Sequence, residues 1–220
     1  MNGFEIRRAA DRAATRTDWL ESRHSFSFGP HYDPDNLGYG PLIALNADVV
    51  QPGPGYTAHR HAGTEILTWV VAGVLEHEAA DEVSRVRPGQ LQYLSVGAGL
   101  THAERSADDQ PVEVVQMWLT GRADGESRYA VEKIPTGPWA LAGSSSRPAP
   151  IALRNVEAEL YVGRPAPGDE VDLPATDLHL YVVRGELTVD GLSLQPGDAL
   201  CGQAKRLRAS TEAEVLAWSF

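Results

Sequence analysis

Residues 65–77 read Glu-Ile-Leu-Thr-Trp-Val-Val-Ala-Gly-Val-Leu-Glu-His, an apolar and β-branched run broken at Gly73. Such a run predicts a strand, a tight turn and a returning strand. Arg87-Pro88-Gly89 is a turn signal, Gln90-Leu-Gln-Tyr-Leu94 a further strand, and Gly97-Ala-Gly99 a second turn ahead of Leu100-Thr101-His102.

The pattern returns later in the chain. Leu180-Tyr181-Val182-Val183-Arg184-Gly185-Glu186-Leu187 superposes on Thr68-Trp69-Val70-Val71-Ala72-Gly73-Val74-Leu75 at an offset of 112, and Gln195-Pro196-Gly197 on Arg87-Pro88-Gly89 at an offset of 108. The change of four predicts a shorter hairpin in the second copy, where Asp190-Gly191 is a strong two-residue turn signal. Between the copies, residues 135–150 are rich in Pro, Gly and Ser without helical or strand period and read as a linker. At 220 residues with 42% hydrophobic content the chain can bury two small cores. The expected organisation is therefore two β domains, 1–134 and 151–220, joined by 135–150.

Candidate chemistry falls inside the first copy. His59-Arg60-His61 and His102-Ala103-Glu104 are two pairs of metal-donor residues at i, i+2. Alternate residues of a strand point to one face, so each pair can aim two donors into one cavity. Spacing alone is weak, since a chance HxH is expected about 0.2 times and a chance HxE about 0.5 times in such a composition. The repeat adds a test: the offsets carry His59 to Val171, His61 to Leu173, His102 to Ser210 and Glu104 to Glu212. One acid cannot hold a metal, so the second copy is expected to be metal-free and structural, with His179 and Cys201 as buried packing residues.

Charge and cysteine content narrow the remaining classes. The formal charge of -11 and pI near 5.0 argue against broad contact with nucleic acid or anionic lipid, which need Lys and Arg against phosphate. Residues 1–130 carry 18 acids against 11 bases and residues 131–220 carry 12 against 8, so neither half is a hidden basic module. Cys201 is the only cysteine, so an intrachain disulfide cannot form. The apolar run from Ile66 to Leu75 is too short to span a bilayer, and the first residues lack a secretory apolar core. A cytoplasmic protein is the expectation, and the preference for Arg over Lys reads as the coding bias of a GC-rich bacterial genome.

The order of ligand pair, hairpin, Pro-Gly turn, strand, Gly-rich turn and ligand pair resembles the cupin barrel. Ser22-Arg-His-Ser-Phe-Ser-Phe-Gly-Pro-His-Tyr-Asp-Pro-Asp-Asn-Leu-Gly38 and Asn46-Ala-Asp-Val-Val-Gln-Pro-Gly53, followed by the two ligand pairs, narrow the resemblance to the pirin family of bicupins. It implies an all-β fold of two tandem cupin (double-stranded β-helix, jelly-roll) barrels. It also implies one metal ion in the first barrel on His59, His61, His102 and Glu104, and a second barrel without metal. In many metal-binding cupins a Glu four residues after the second His is itself a ligand. In the pirin pattern the ligand carboxylate follows the third His, which places Glu65 in the pocket wall or behind the ligands. His77 reads as a packed strand-end residue that could line the pocket. His24 and His31 read as structural, with Phe26 and Phe28 as core anchors, and Arg184, Arg206 and Arg208 as a solvated face.

Donor identity leaves Fe(II), Zn, Mn, Ni and Cu open, although mixed His/carboxylate sites with free positions favour non-haem Fe(II) chemistry. The resemblance implies iron and a quercetin 2,3-dioxygenase type ring opening of a flavonol-like aromatic substrate, with Glu104 as the catalytic base for the enolic proton. It also implies, as an alternative, a metal- or redox-sensing module acting through regulatory protein partners. A metal-free, isomerase-like cupin is the third reading. An enzyme needs an open, partly apolar cavity over the metal, whereas a sensor can keep it closed.

Overall fold

The computed structural model describes residues 3–80, 82–154 and 157–220. The chain begins with β1 (Phe4–Arg7), a short 3-10 turn (Ala9–Asp11), β2 (Ala13–Arg16), β3 (Leu20–His24), β4 (Leu42–Val50), β5 (Tyr56–His61) and β6 (Thr64–Ala72). Then follow β7 (Leu75–Ala79), β8 (Glu82–Val86), β9 (Gln90–Ser95), β10 (Leu100–Ser106), β11 (Val112–Thr120) and β12 (Arg128–Lys133). The rest comprises β13 (Ala140–Ser144), β14 (Ile151–Ala152), β15 (Glu159–Gly163), β16 (Glu170–Asp172), β17 (Leu178–Arg184), β18 (Leu187–Val189), β19 (Leu192–Leu194), β20 (Ala199–Gly202), β21 (Arg206–Ala209) and β22 (Glu214–Ser219). Among the described residues no helix is long and apolar enough to cross a membrane.

The strands sort into two units of the same design. The first, Arg12–Lys133 with Arg154–Val156, has a seven-stranded sheet in the order β12-β9-β6-β11-β4-β3-β2 and a four-stranded sheet β5-β10-β7-β8. The second, Met1–Asp11, Ile134–Leu153 and Glu157–Phe220, has β1-β20-β17-β22-β15-β13-β14 and β16-β21-β18-β19. A seven-stranded sheet closed by a four-stranded one is the double-stranded β-helix, so the fold is all-β with two cupin barrels in tandem.

The observed boundaries differ from 1–134, 135–150 and 151–220 in two respects. Phe4–Arg7 pairs antiparallel with β20, from Phe4↔Gly202 to Arg7↔Ala199, so the first strand completes the second barrel. Phe4 and Ile6 pack on that barrel's core, and the fully buried Asp198 carboxylate accepts Ala9 N–H and an Arg8 guanidinium N–H, each at 2.8 Å. The expected linker contains β13, whose residues pair with β15 and whose Ala142 is fully buried. Its short apolar core is hidden in sequence by the flanking Pro, Gly and Ser.

The hairpin difference has the expected form. Leu75–Ala79 pairs with Glu82–Val86 over five residues, and Leu187–Val189 with Leu192–Leu194 over three, around Asp190 and Gly191 with φ of 47° and 85°. Gly73 and Gly185, equivalent in the two copies, have φ of 73° and 75°. A Cβ on Gly73 would lie 2.5 Å from Pro111 O, whereas one on Gly191 would meet nothing. Gly73→Ala is therefore expected to destabilise the protein by about 2–3 kcal/mol in denaturant unfolding, and Gly191→Ala by about 1 kcal/mol, which reflects left-handed backbone strain alone.

Candidate metal centre

Strand register brings the two ligand pairs together. In the four-stranded sheet of the first barrel, His102 is opposite His59 on one side and Ala79 on the other, and Glu104 is opposite Tyr56 and His77. A bulge in β5 places Tyr56 and His59, three residues apart, on the same inward face. Ring centroids are 4.5 Å apart for His59 and His102, 4.7 Å for His59 and His61, and 5.0 Å for His61 and His102. Donor atoms of these three lie within 4.8 Å of one another, and so do those of His77, His102 and Glu104. His102 belongs to both groups.

The donor chemistry fits a divalent ion. His59 Nδ1 is 2.8 Å from the carbonyl of Thr57, which can only accept, so Nδ1 carries the proton and Nε2 keeps its lone pair for a metal. Both ring nitrogens of the buried His102, and Nε2 of His77, lack a hydrogen-bond partner among the described residues. Unsatisfied buried polar atoms cost about 1–3 kcal/mol each, a cost that a bound ion can offset. Burial, reinforced by His59 and then His61, holds the His102 imidazole down to about 3, and burial with His59 holds His61 down to about 4. Both rings are thus neutral at neutral pH, the form a metal requires.

Glu104, 3% exposed, is held by two amides. Gln92 Nε2 donates to its Oε1 at 2.7 Å and Gln116 Nε2 to its Oε2 at 2.8 Å. These glutamines belong to one row across the seven-stranded sheet, in which His24, Asn46, Gln116, Thr68 and Gln92 are successive cross-strand neighbours. Along β6 the row lies between Ile66 and Val70, members of two separate apolar clusters, so a polar layer crosses the barrel interior between apolar ones. Asp48, two residues along from Asn46, accepts Tyr56 O–H at 3.0 Å.

The remaining singled-out residues fall on either side of this layer. His77 is part of it, stacked on Tyr129 at 4.6 Å and 5.0 Å from His102, rather than a merely packed strand end. A cavity of about 370 Å³ adjoins it, lined by Leu94, Leu100, Arg128 and Tyr129 among others. Glu65 is three residues from Thr68, so strand parity puts it on the opposite sheet face, where its Oε1 accepts Arg154 N–H at 3.1 Å. It is remote from the donors, neither ligand nor pocket wall. His24 bonds to Asn46 and Thr15, each at 2.9 Å, and stacks on Phe28, while His31 reaches Thr15 at 3.2 Å. Phe26 is buried as a core anchor, Phe28 only in part. Arg206 is exposed and pairs with Glu170 and Asp172.

Register also corrects the equivalence between the copies. Leu75 pairs with Ser106, and its counterpart Leu187 with Ala209. Counting back two and four residues puts Leu207 and Lys205 at the places of Glu104 and His102, instead of Glu212 and Ser210. The β20–β21 connection is shorter than the β9–β10 one, with Glu104 twelve residues after Gln92 but Leu207 only seven after Leu200, and that broke the constant offset. The row equivalent to Gln116, Thr68 and Gln92 is Ala217, Leu180 and Leu200 in the second barrel.

Asp48, Tyr56, Gln92, Gln116, Trp118 and Tyr129 were not singled out by sequence. A usable signal exists for Gln116, which interrupts the inward-facing apolar positions Val114 and Trp118 of its strand.

Two such barrels, one carrying converging imidazoles and a carboxylate, define a bicupin. The sequence profile of the Pirin family matches residues 5–119. Rv0181c of Mycobacterium tuberculosis (strain H37Rv), provisionally named a quercetin 2,3-dioxygenase, is 42% identical, over 97% of this chain and 93% of the relative. The quercetin 2,3-dioxygenase of Escherichia coli K12 is 28% identical, over 96% of each. The crystal structure of the Escherichia coli pirin YhhW in complex with nickel(II) superposes with a TM-score of 0.92 at 26% identity, covering 99% of this chain and 98% of that one. This chain belongs to the pirin family.

Burial raises the Asp48 carboxyl from 3.8 to about 6, with the hydrogen bonds from Ser22 and Tyr56 opposing and the Glu104 charge adding to the rise. A raised carboxyl contributes stability that is present below pH 3.8 and lost as pH climbs through 6. In metal-stripped protein, Asp48→Asn is expected to add about 2 kcal/mol at pH 8, a gain that fades toward pH 4. Urea unfolding across that range measures it.

Proposed function

We propose that this protein is a metal-dependent pirin of the cytoplasm that opens flavonol-like aromatics with dioxygen, in the manner of a quercetin 2,3-dioxygenase. His59, His61, His102 and Glu104 would hold one divalent ion, with iron(II) as the working metal. The observation that carries this reading is the buried, doubly unpartnered His102 ring facing His59 and His61. The names of the 42% and 28% identical relatives support the reaction class, and the nickel complex of YhhW supports a single divalent ion in this kind of barrel.

When bound, such an ion supplies Lewis acidity toward an enolic oxygen and, as iron, redox access to dioxygen. The chain's own residues do the rest. The three histidines present donors from one inward face, those of His61 and His102 kept neutral by burial, and the half-exposed His59 and His61 leave the mouth open to substrate. A carboxylate oxygen of Glu104 accepts the enolic proton, and its amide partners keep it aimed. The partly apolar cavity beside His77 and Tyr129 accommodates the body of a planar phenolic molecule.

Anaerobic reconstitution with Fe(II), followed by oxygen uptake with quercetin, tests the proposal. The expected result is one iron per chain and uptake that His61→Ala reduces at least 100-fold. Uptake no greater than that of His61→Ala sinks the quercetinase assignment, and retained iron without turnover points to the metal- or redox-sensing role through a protein partner.

A further inference from the structure

Each amide that holds Glu104 is itself held by an aromatic donor. Trp118 Nε1 donates to Gln116 Oε1 at 2.8 Å, and Tyr129 Oη donates to Gln92 Oε1 at 3.1 Å. A glutamine amide is nearly symmetric in shape, so a half-turn exchanges its oxygen and nitrogen without steric penalty. What chooses between the two orientations is the partner at each end. An indole N–H can only donate, so Gln116 must turn its oxygen to Trp118 and its NH2 to Glu104. In the flipped state oxygen would face carboxylate and NH2 would face N–H, both repulsive. Gln92 is fully buried, so water cannot relieve a flip there, and Thr68 Oγ1 lies 3.4 Å and 3.5 Å from the two amide nitrogens as an additional acceptor.

The same two aromatic rings also touch histidines of the centre. Trp118 meets His61 edge-on at 4.8 Å between centroids, and Tyr129 stacks on His77. Each aromatic therefore reaches the site twice, by its ring against an imidazole and by its polar hydrogen through an amide to the carboxylate. The second barrel has Ala217 and Leu200 at the places of Gln116 and Gln92 and Leu207 at that of Glu104, so amides and carboxylate are absent there together.

We propose that Trp118 and Tyr129 are positioning residues of the metal centre: the indole N–H locks the Gln116 amide in the one orientation that presents an N–H donor to Glu104, and the Tyr129 hydroxyl, donating to Gln92 Oε1, fixes the place of the second amide. This rests on the reading of Glu104 as a metal ligand. The lock fixes the plane of the carboxylate and leaves the remaining lone pairs of both oxygens for coordination. Partners behind a ligand commonly change metal affinity by about 10–100-fold.

Cobalt(II) binding to the metal-stripped full chain, followed by its visible d–d bands, tests the lock, because those bands report ligand geometry and a purely structural role would leave them unmoved. Trp118→Phe keeps an aromatic ring against His61 and removes the N–H, and the cycle below cancels the lost ring volume. It is expected to weaken cobalt binding about 10-fold and to shift the bands. In a Gln116→Leu background the same substitution should cost nothing further, since no amide remains to be oriented. Tyr129→Phe paired with Gln92→Leu provides a second cycle if the tryptophan variants fold poorly. Wild-type affinity and bands in Trp118→Phe and Tyr129→Phe, or losses that simply add in both cycles, overturn the proposal. Glu104→Gln separates it from the reading beneath it. If Glu104→Gln weakens binding while the aromatic variants do not, only the lock fails; if Glu104→Gln binds cobalt like the parent, the ligand assignment fails and takes the lock with it.

Discussion

The first barrel is organised around the demand that a buried carboxylate makes on its surroundings. Burying the carboxyl of Glu104 at 3% exposure in an apolar interior costs several kcal/mol unless hydrogen bonds replace its water. Two amides meet that demand, each needs a donor for its own oxygen, and the donors come from aromatic side chains of the neighbouring apolar layer. The result is a polar stratum one or two residues thick, with apolar packing on each side to supply the hydrophobic stabilisation that it lacks. Imidazoles kept neutral by the same burial stand at its edge. A site that pairs rigid donors with vacant lone pairs is a consequence of solving the burial problem this way.

The second barrel solves the same backbone with a different interior. Its rows read Ala217, Leu180 and Leu200 where the first reads Gln116, Thr68 and Gln92, and Leu207 stands in the place of Glu104. Packing of this kind needs no compensating network and tolerates shorter strands, which accords with the three-residue hairpin around Asp190 and Gly191. The fold therefore does not oblige a barrel to carry chemistry. Chemistry enters with one connected set of substitutions, and a partial set would leave buried groups unsatisfied.

Much of this was legible in the chain. Strand–turn–strand periodicity, the copy at 112 residues and the two ligand pairs specify β structure, duplication and the converging donors, because period two ties sequence parity to sheet face. The same parity removes Glu65, although that requires knowing that β6 runs without a bulge from Glu65 to Thr68. Tyr56 was invisible for the converse reason: the bulge in β5 reverses parity between Tyr56 and His59, and bulges have no sequence signature here. Glu212 was mistaken for the partner of Glu104 because a loop of different length broke the offset. The strand at 140–144 and the pairing of Phe4–Arg7 leave no local signal, because both are short and their partners are set by long-range pairing.

The pairing of Phe4 with Gly202 joins residues separated by nearly the whole length of the chain. During synthesis β1 precedes β20 by nearly two hundred residues and finds no partner until β20 has been made, while residues 12–133 can already close their own barrel. Loop-closure entropy and the wait for synthesis thus fall on one barrel and spare the other. The barrel that carries the candidate metal centre can thus close its sheets before the other barrel has all of its strands.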